Sequence, residues 1–330
     1  MTTRAIDRVV PYVATPQAPG ASMFERVPCP SCGASDAVFF IQAEDDLTGR
    51  PGRFTFVRCA DCDLVYQSPR LTLEHVKSYY DDNYIAHQER GRWGWMAPAV
   101  AWAMGSLDRA KLGIVSRYVP LGPRAQVLDV GCGAGSFLTQ VRERFGAAVA
   151  GVDFVDLSSR TAFRGVEFHH GLFYEQEVGR SRFDLITMWH FLEHDYDPLR
   201  SLRHAANALA PDGRLIVEVP RLDSRSFRWF GRRWPGLQAP QHTAVYDRAA
   251  LCALVTRAGL IVEDYLPYGA FPPYFYAFCG VAFHLRPGRG LDLRRAVVPY
   301  FAGQILLLPI LPLLKHTNFA MQTVVCRKEA

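Results

Sequence analysis

Val127-Leu128-Asp129-Val130-Gly131-Cys132-Gly133-Ala134-Gly135, followed by Ser136 to Phe145, decides the fold of this chain. A short apolar run, a glycine-dense turn and an apolar-periodic segment predict strand, tight loop and helix, the opening of a parallel βαβ unit. Glycines at 131, 133 and 135 let the backbone turn sharply and come close to a ligand, because no Cβ intervenes. The N–H groups of the helix start can then hold an anionic group. A dinucleotide fingerprint requires a third glycine where Ser136 stands, so close pyrophosphate binding is not provided.

The run Asp129-x-Gly131-x-Gly133-x-Gly135 resembles the first motif of the class I S-adenosylmethionine (SAM) methyltransferases. The resemblance implies an α/β, Rossmann-like sheet of seven strands, the last antiparallel, and covers about Leu107 to Lys328. It implies that the loop meets the methionine end of SAM and that an acid ending the next strand accepts from both ribose hydroxyls. Ala147 to Val152 is that strand and Asp153 that acid; the alternative is an ordinary glycine turn beside a solvated carboxylate. Asp129, Gly131, Cys132, Gly133, Gly135, Asp153, Trp189 and His190 are the cofactor-binding residues expected on this basis. Gly171-Leu172 stands where the family often has an acid for adenine, so adenine recognition is expected from backbone and apolar contacts.

With 330 residues, 49% of them apolar, the chain can bury a substantial core. Its formal charge of +5 is modest and no Lys/Arg block stands out, so composition does not argue for a nucleic-acid partner. Met1 to Ser22 has no apolar h-region of a secretory signal and reads as a disordered lead, and a cytoplasmic location is expected.

Four of the eight cysteines form two CxxC pairs, Cys29/Cys32 and Cys59/Cys62, separated by 26 residues that include the strand-like Val38 to Ile41 and Phe54 to Val57. Two knuckles on a hairpin give a tetrahedral thiolate site of zinc-ribbon type, with the metal structural because four thiolates close its coordination. An iron–sulfur centre or a redox pair are the alternatives. The expected organisation is a lead over 1–25, a zinc ribbon over 26–70, a helical cap over 71–122 and a SAM-binding domain over 123–330. In the cap, Tyr79, Tyr80, Tyr84, Trp93, Trp95 and Trp102 either cover the cofactor or serve packing.

Phe183 to Trp189 reads as the fourth strand, with His190-Phe191-Leu192-Glu193-His194 at its carboxyl end, where ligands lie in open α/β sheets. His190, Glu193 and His194 are therefore candidates for acid–base or metal chemistry, or cap the following helix, Pro198 to Leu209. Arg221 to Pro240 is a long loop after the fifth strand and reads as a substrate lid. His242, just before the helix Asp247 to Ala258, is the leading general base, and the same order is found in zinc-bearing sugar methyltransferases. There a Glu precedes the His, where Gln241 stands here; the alternative for His242 is a hydrogen-bonding residue at a helix start.

Tyr268 to Leu285 and Val297 to Leu314 are each 18 residues without a formally charged side chain. The antiparallel last strand requires the chain to return to its starting side, and prolines interrupt both stretches. The insertion 268–314 is therefore expected as a helical hairpin that packs on the domain, forms a dimer surface or dips into the cytoplasmic membrane interface. The expected activity is SAM-dependent C- or O-methylation of a small-molecule or lipid-linked acceptor such as a sugar or glycan precursor. The rivals are an RNA or protein methyltransferase and a catalytically inactive binding protein of the same fold.

Overall fold

The strand Gln126–Val130 lies inside a seven-stranded sheet, next to its central strand, in a computed structural model that describes residues 22–80, 94–307, 309–310, 313 and 317–329. It pairs in parallel with Ala148–Asp153 on one side and Phe183–Trp189 on the other. Glu167–His170 and Leu209–Pro220 extend the sheet outward in parallel. Met321–Lys328 then runs antiparallel between Leu209–Pro220 and Leu260–Leu266. This is the doubly wound sheet expected, and its switch point falls between Gln126–Val130 and Phe183–Trp189, whose carboxyl ends are where ligands lie in open α/β sheets.

Val127, Leu128, Leu185 and Ile186 are fully buried because helices cover both faces. On one face Phe137 and Val141 of the helix Ser136–Phe145 pack with Leu112 and Val115 of the helix Ala97–Val115. On the other, Leu202 of the helix Pro198–Ala208 and Leu251 and Leu254 of the helix Arg248–Arg257 meet Leu128, Met188 and Val217. Asp197 and Asp247 cap those two helices, accepting from the N–H of Arg200 and of Ala250. Pro211-Asp212-Gly213 falls within Leu209–Pro220, at the register shift between Leu209 and Arg214.

The two CxxC knuckles flank the hairpin of Ala37–Glu44 and Arg53–Cys59. Val65–Gln67 adds a third strand, and Ala244–Val245, from far along the chain, adds a fourth. Cys29, Cys59 and Tyr66 belong to the same apolar core as Leu251 and Val217, so the ribbon rests on the main sheet.

Arg221 to Pro240 is not an open lid. It contains the helix Arg225–Phe230 and a 3-10 turn, Gly231–Arg233, and it docks on the ribbon hairpin. Arg233 is the anchor, bonding Asp46 at 2.5 Å and Glu44 at 2.8 Å, while Trp234 is buried and donates to Ser226 at 2.9 Å. Two ion pairs and a buried indole outweigh the freedom that loop length alone suggests.

The apolar insertion forms the helices Pro273–Leu285 and Leu293–Leu306. Their connector folds back on the ribbon: Leu291 N–H donates to Leu47 O at 2.9 Å and Gly288 N–H to Asp46 at 2.8 Å. The hairpin thus packs on the molecule, the first of the arrangements expected. No helix among the described residues is long and apolar enough to cross a membrane. Of the lead expected over 1–25, residues 1–21 lie outside the described residues, as do Tyr84 and Trp93, while Phe24–Glu25 forms a strand paired with Arg70–Leu71.

Candidate active site

Gly131, Gly133 and Gly135 all adopt positive φ, at 73°, 52° and 75°. A Cβ at Gly131 would lie 3.0 Å from Phe191, and one at Gly135 2.8 Å from Phe163, so the turn needs glycine for conformation and for space. The loop's own N–H groups are largely engaged. Gly131 and Cys132 donate to Val152 O at 2.8 and 3.1 Å, and Gly133 donates to the Asp153 carboxylate at 2.9 Å. The donors without such a partner belong to the first turn of the helix Ser136–Phe145, the helix start where they were expected, and it has no side-chain cap. Cys132 is buried, with its sulfur against Gly151.

Asp153 ends its strand with both oxygens oriented, the second by Val155 N–H at 3.0 Å. Asp129 is buried and accepts from Thr187 Oγ1 at 2.6 Å. Burial raises its carboxyl to about 6, with Lys111 and the Thr187 hydroxyl opposing the rise. Trp189 lies against Phe137 of the first helical turn, and its Nε1–H is buried without a partner. An unsatisfied donor, an oriented carboxylate and an uncapped helix start fit a ligand with hydroxyls and a carboxylate, which is the chemistry of SAM. Thr187, Lys111 and Phe191 join this crevice without any signal in the sequence.

His190 follows Trp189 with φ of 55° and lies between two carboxylates, Nδ1 at 3.2 Å from Glu193 and Nε2 at 3.2 Å from Glu218. Burial pushes the ring toward neutrality, but the two carboxylates prevail and raise it to about 9. Both ring nitrogens of His190 are engaged by carboxylates. Glu218 also accepts from the N–H of Ala270 and Phe271, at 2.6 and 3.1 Å.

The structure brings Glu193, His194 and His242 together: one ligating atom of each lies within 4.8 Å of the others. His242 is buried, and its Nδ1 donates to Gly236 O at 2.8 Å. Burial and the neighbouring His194 push it down to about 3, a neutral ring of low proton affinity. His194 Nδ1 lies 3.1 Å from Gln241 O and 2.9 Å from Tyr80 Oη, and its ring meets His242 edge-on at 4.4 Å. Gln241, where a Glu was expected by resemblance, is tied to Tyr79 O at 3.0 Å. Tyr80 also stands edge-on to Phe154, the residue after Asp153, at 4.9 Å.

In the ribbon, Cys29 Sγ lies 3.5 Å from Cys62 Sγ, and Cys32 Sγ 3.5 Å from Cys59 Sγ. Four Zn–S bonds of about 2.3 Å imply S···S separations of about 3.8 Å, so the four thiols fit a tetrahedral ion.

Residues 104–265 match a family described as a methyltransferase domain. Over 188 residues the chain is 30% identical to the ubiquinone biosynthesis O-methyltransferase of Xanthomonas axonopodis pv. citri, covering 52% of this chain and 77% of that one. The chain belongs to the class I SAM-dependent methyltransferases. The ubiquinone biosynthesis O-methyltransferase of Xylella fastidiosa is also 30% identical, over 186 residues, covering 52% of this methyltransferase and 75% of that protein. Among solved structures, the Burkholderia thailandensis 1,6-didemethyltoxoflavin-N1-methyltransferase is similar at 17% identity and a TM-score of 0.48, covering 82% of this chain and 98% of that one. The four cysteines lie outside the matched methyltransferase domain.

Proposed function

We propose that this methyltransferase methylates a hydroxyl oxygen of a small acceptor, with sugar or glycan precursors and their lipid-linked forms as the class to test. SAM, when bound, supplies an electrophilic methyl group on a sulfonium. Asp153 would hold the ribose, Asp129 and Trp189 would line the adjoining crevice, and the uncapped helix start would take the methionine carboxylate. The observation that carries this reading is the carboxylate of Asp153 clasping Gly133 across the glycine turn. The name shared by the relatives supports oxygen as the accepting atom. The acceptor's proton must leave as the new bond forms, and the cluster of Glu193, His194 and His242 at the sheet's carboxyl end is the group proposed to receive it. His190 holds Glu193 in place for that task.

Titration calorimetry tests the first half: the wild type should bind SAM and Asp153→Ala should bind it far more weakly. Labelled SAM incubated with fractionated cell extract, lipids included, tests the second half. A labelled methyl ether in a small-molecule fraction supports it; binding without turnover on any fraction marks a binding protein instead.

We further propose that the four cysteines hold a structural Zn2+ and that the insertion touches a membrane surface. Val281, Leu285, Val298, Ile305 and Leu306 stand exposed on its two helices, a large apolar surface for water. Co-sedimentation with anionic phospholipid vesicles should retain the wild type and release Leu306→Glu; wild-type protein left in the supernatant removes the membrane reading.

A further inference from the structure

Glu193, His194 and His242 carry more than their separate geometries suggest. The Glu193 side chain is fully buried; Oε1 faces the His190 imidazolium, while Oε2 is buried with no hydrogen-bond partner. An ionised carboxylate oxygen left unsatisfied in the interior is costly, and such a group calls for a cation or a donor at that place. A carbonyl oxygen can only accept, so Gly236 O fixes the His242 proton on Nδ1 and leaves that ring's lone pair on Nε2, while His194 Nδ1 faces both Gln241 O and the Tyr80 hydroxyl. Histidines that ligate metals are commonly oriented by such a bond from the opposite ring nitrogen to a backbone carbonyl.

We propose that Glu193 Oε2 and the Nε2 atoms of His194 and His242 form a divalent transition-metal site, separate from the four cysteines and open at a fourth position. Two imidazoles and one carboxylate match a Zn2+-class ion, and three protein ligands leave room for an oxygen from water or acceptor. Ligand atoms now within 4.8 Å would draw to separations of about 3.3 Å around an ion with bonds of about 2.0 Å. This deepens the function proposed above: the ion would lower the pKa of an acceptor hydroxyl in the open position, whose proton would pass to solvent water, so the three side chains would serve the deprotonation as ligands in place of receiving the proton themselves. His190 and Glu218 act as the outer shell, fixing Glu193 from behind.

The test is metal stoichiometry on the full chain, which does not depend on methyl transfer. Wild-type protein stripped of metal and reloaded with Co2+ should take up two ions per chain. One should show intense thiolate-to-cobalt absorption from the four cysteines and the other only weak ligand-field bands. Cys59→Ser should lose the first class outright and, because the ribbon supports the His242 loop, should bind the second more weakly, its weak ligand-field bands still reached at saturating Co2+. Glu193→Gln and His242→Gln should each weaken the second by on the order of 100-fold or more, with thiolate absorption and SAM binding intact as the control for folding. A wild type that saturates at one ion, or variants that still take up two with unchanged affinity, overturns the site. Loss of SAM binding in the wild type would instead overturn the cofactor reading and leave the metal count standing.

Discussion

Asp153 is fixed by the chain's own backbone, with one oxygen on Gly133 N–H and the other on Val155 N–H. Removing it takes away charge-assisted acceptors and loosens the glycine turn at the same time. Hydrogen bonds to a charged group contribute about 1.5–3 kcal/mol, so Asp153→Ala should weaken SAM binding by roughly 10- to 100-fold in calorimetry. Unchanged affinity would mean the ribose lies elsewhere. This residue was legible in the sequence because a strand end and a glycine turn leave a fixed spacing. Its neighbours were not. Thr187 reaches Asp129 from another strand, and Phe191 covers Gly131 from the loop beyond it, contacts that depend on sheet order and leave no local pattern. His242 was noticed as a single residue, yet its meeting with Glu193 and His194 depends on a chain crossing 48 residues away in sequence.

At the level of elements, the strands and crossover helices were legible because burial on both faces writes continuous apolar runs, as in Phe183–Trp189. The docking of Arg221 to Pro240 was not, since the ion pairs of Arg233 join segments almost two hundred residues apart. The edge strand Glu167–His170 offers a pH test. Arg182 grips Glu167 with two bonds of 2.8 and 2.6 Å, and His169 adds a third at 2.8 Å. The Arg182 bonds are the main cause that lowers the carboxyl to about 2, with burial opposing and His169 assisting. A carboxyl depressed on folding adds stability above its ordinary value near 4.5, and that stability is lost as pH falls from there toward 2. The pair is partly exposed, so the contribution is at most about 1 kcal/mol. Glu167→Gln should lower the urea midpoint at pH 7 and converge on the wild type near pH 2; equal midpoints at pH 7 would show that the clamp adds nothing.

Across the whole molecule, the ribbon and the catalytic sheet share a core and a strand. Ala244 pairs with Tyr66 and Val245 with Val65, and Gln67 donates to Pro240 O at 3.0 Å and to His242 O at 2.5 Å. Unfolding the ribbon therefore removes the support of the His242 loop while the glycine turn, a separate cluster of contacts, keeps its own. Cys59→Ser, or chelation of the wild type, should increase amide hydrogen exchange at Ala244 to Tyr246 and reduce turnover, with SAM affinity changed by less than about threefold. Exchange unaltered in that segment would show the two halves to be independent.

With the proposed Zn2+ in the ribbon, the borrowed strand would make the enzyme a reporter of metal supply. Starved of zinc, such a chain would go on loading its methyl donor while the acceptor side fell silent, so scarcity would idle the catalyst without discarding it, and restored supply would return it to work without new synthesis.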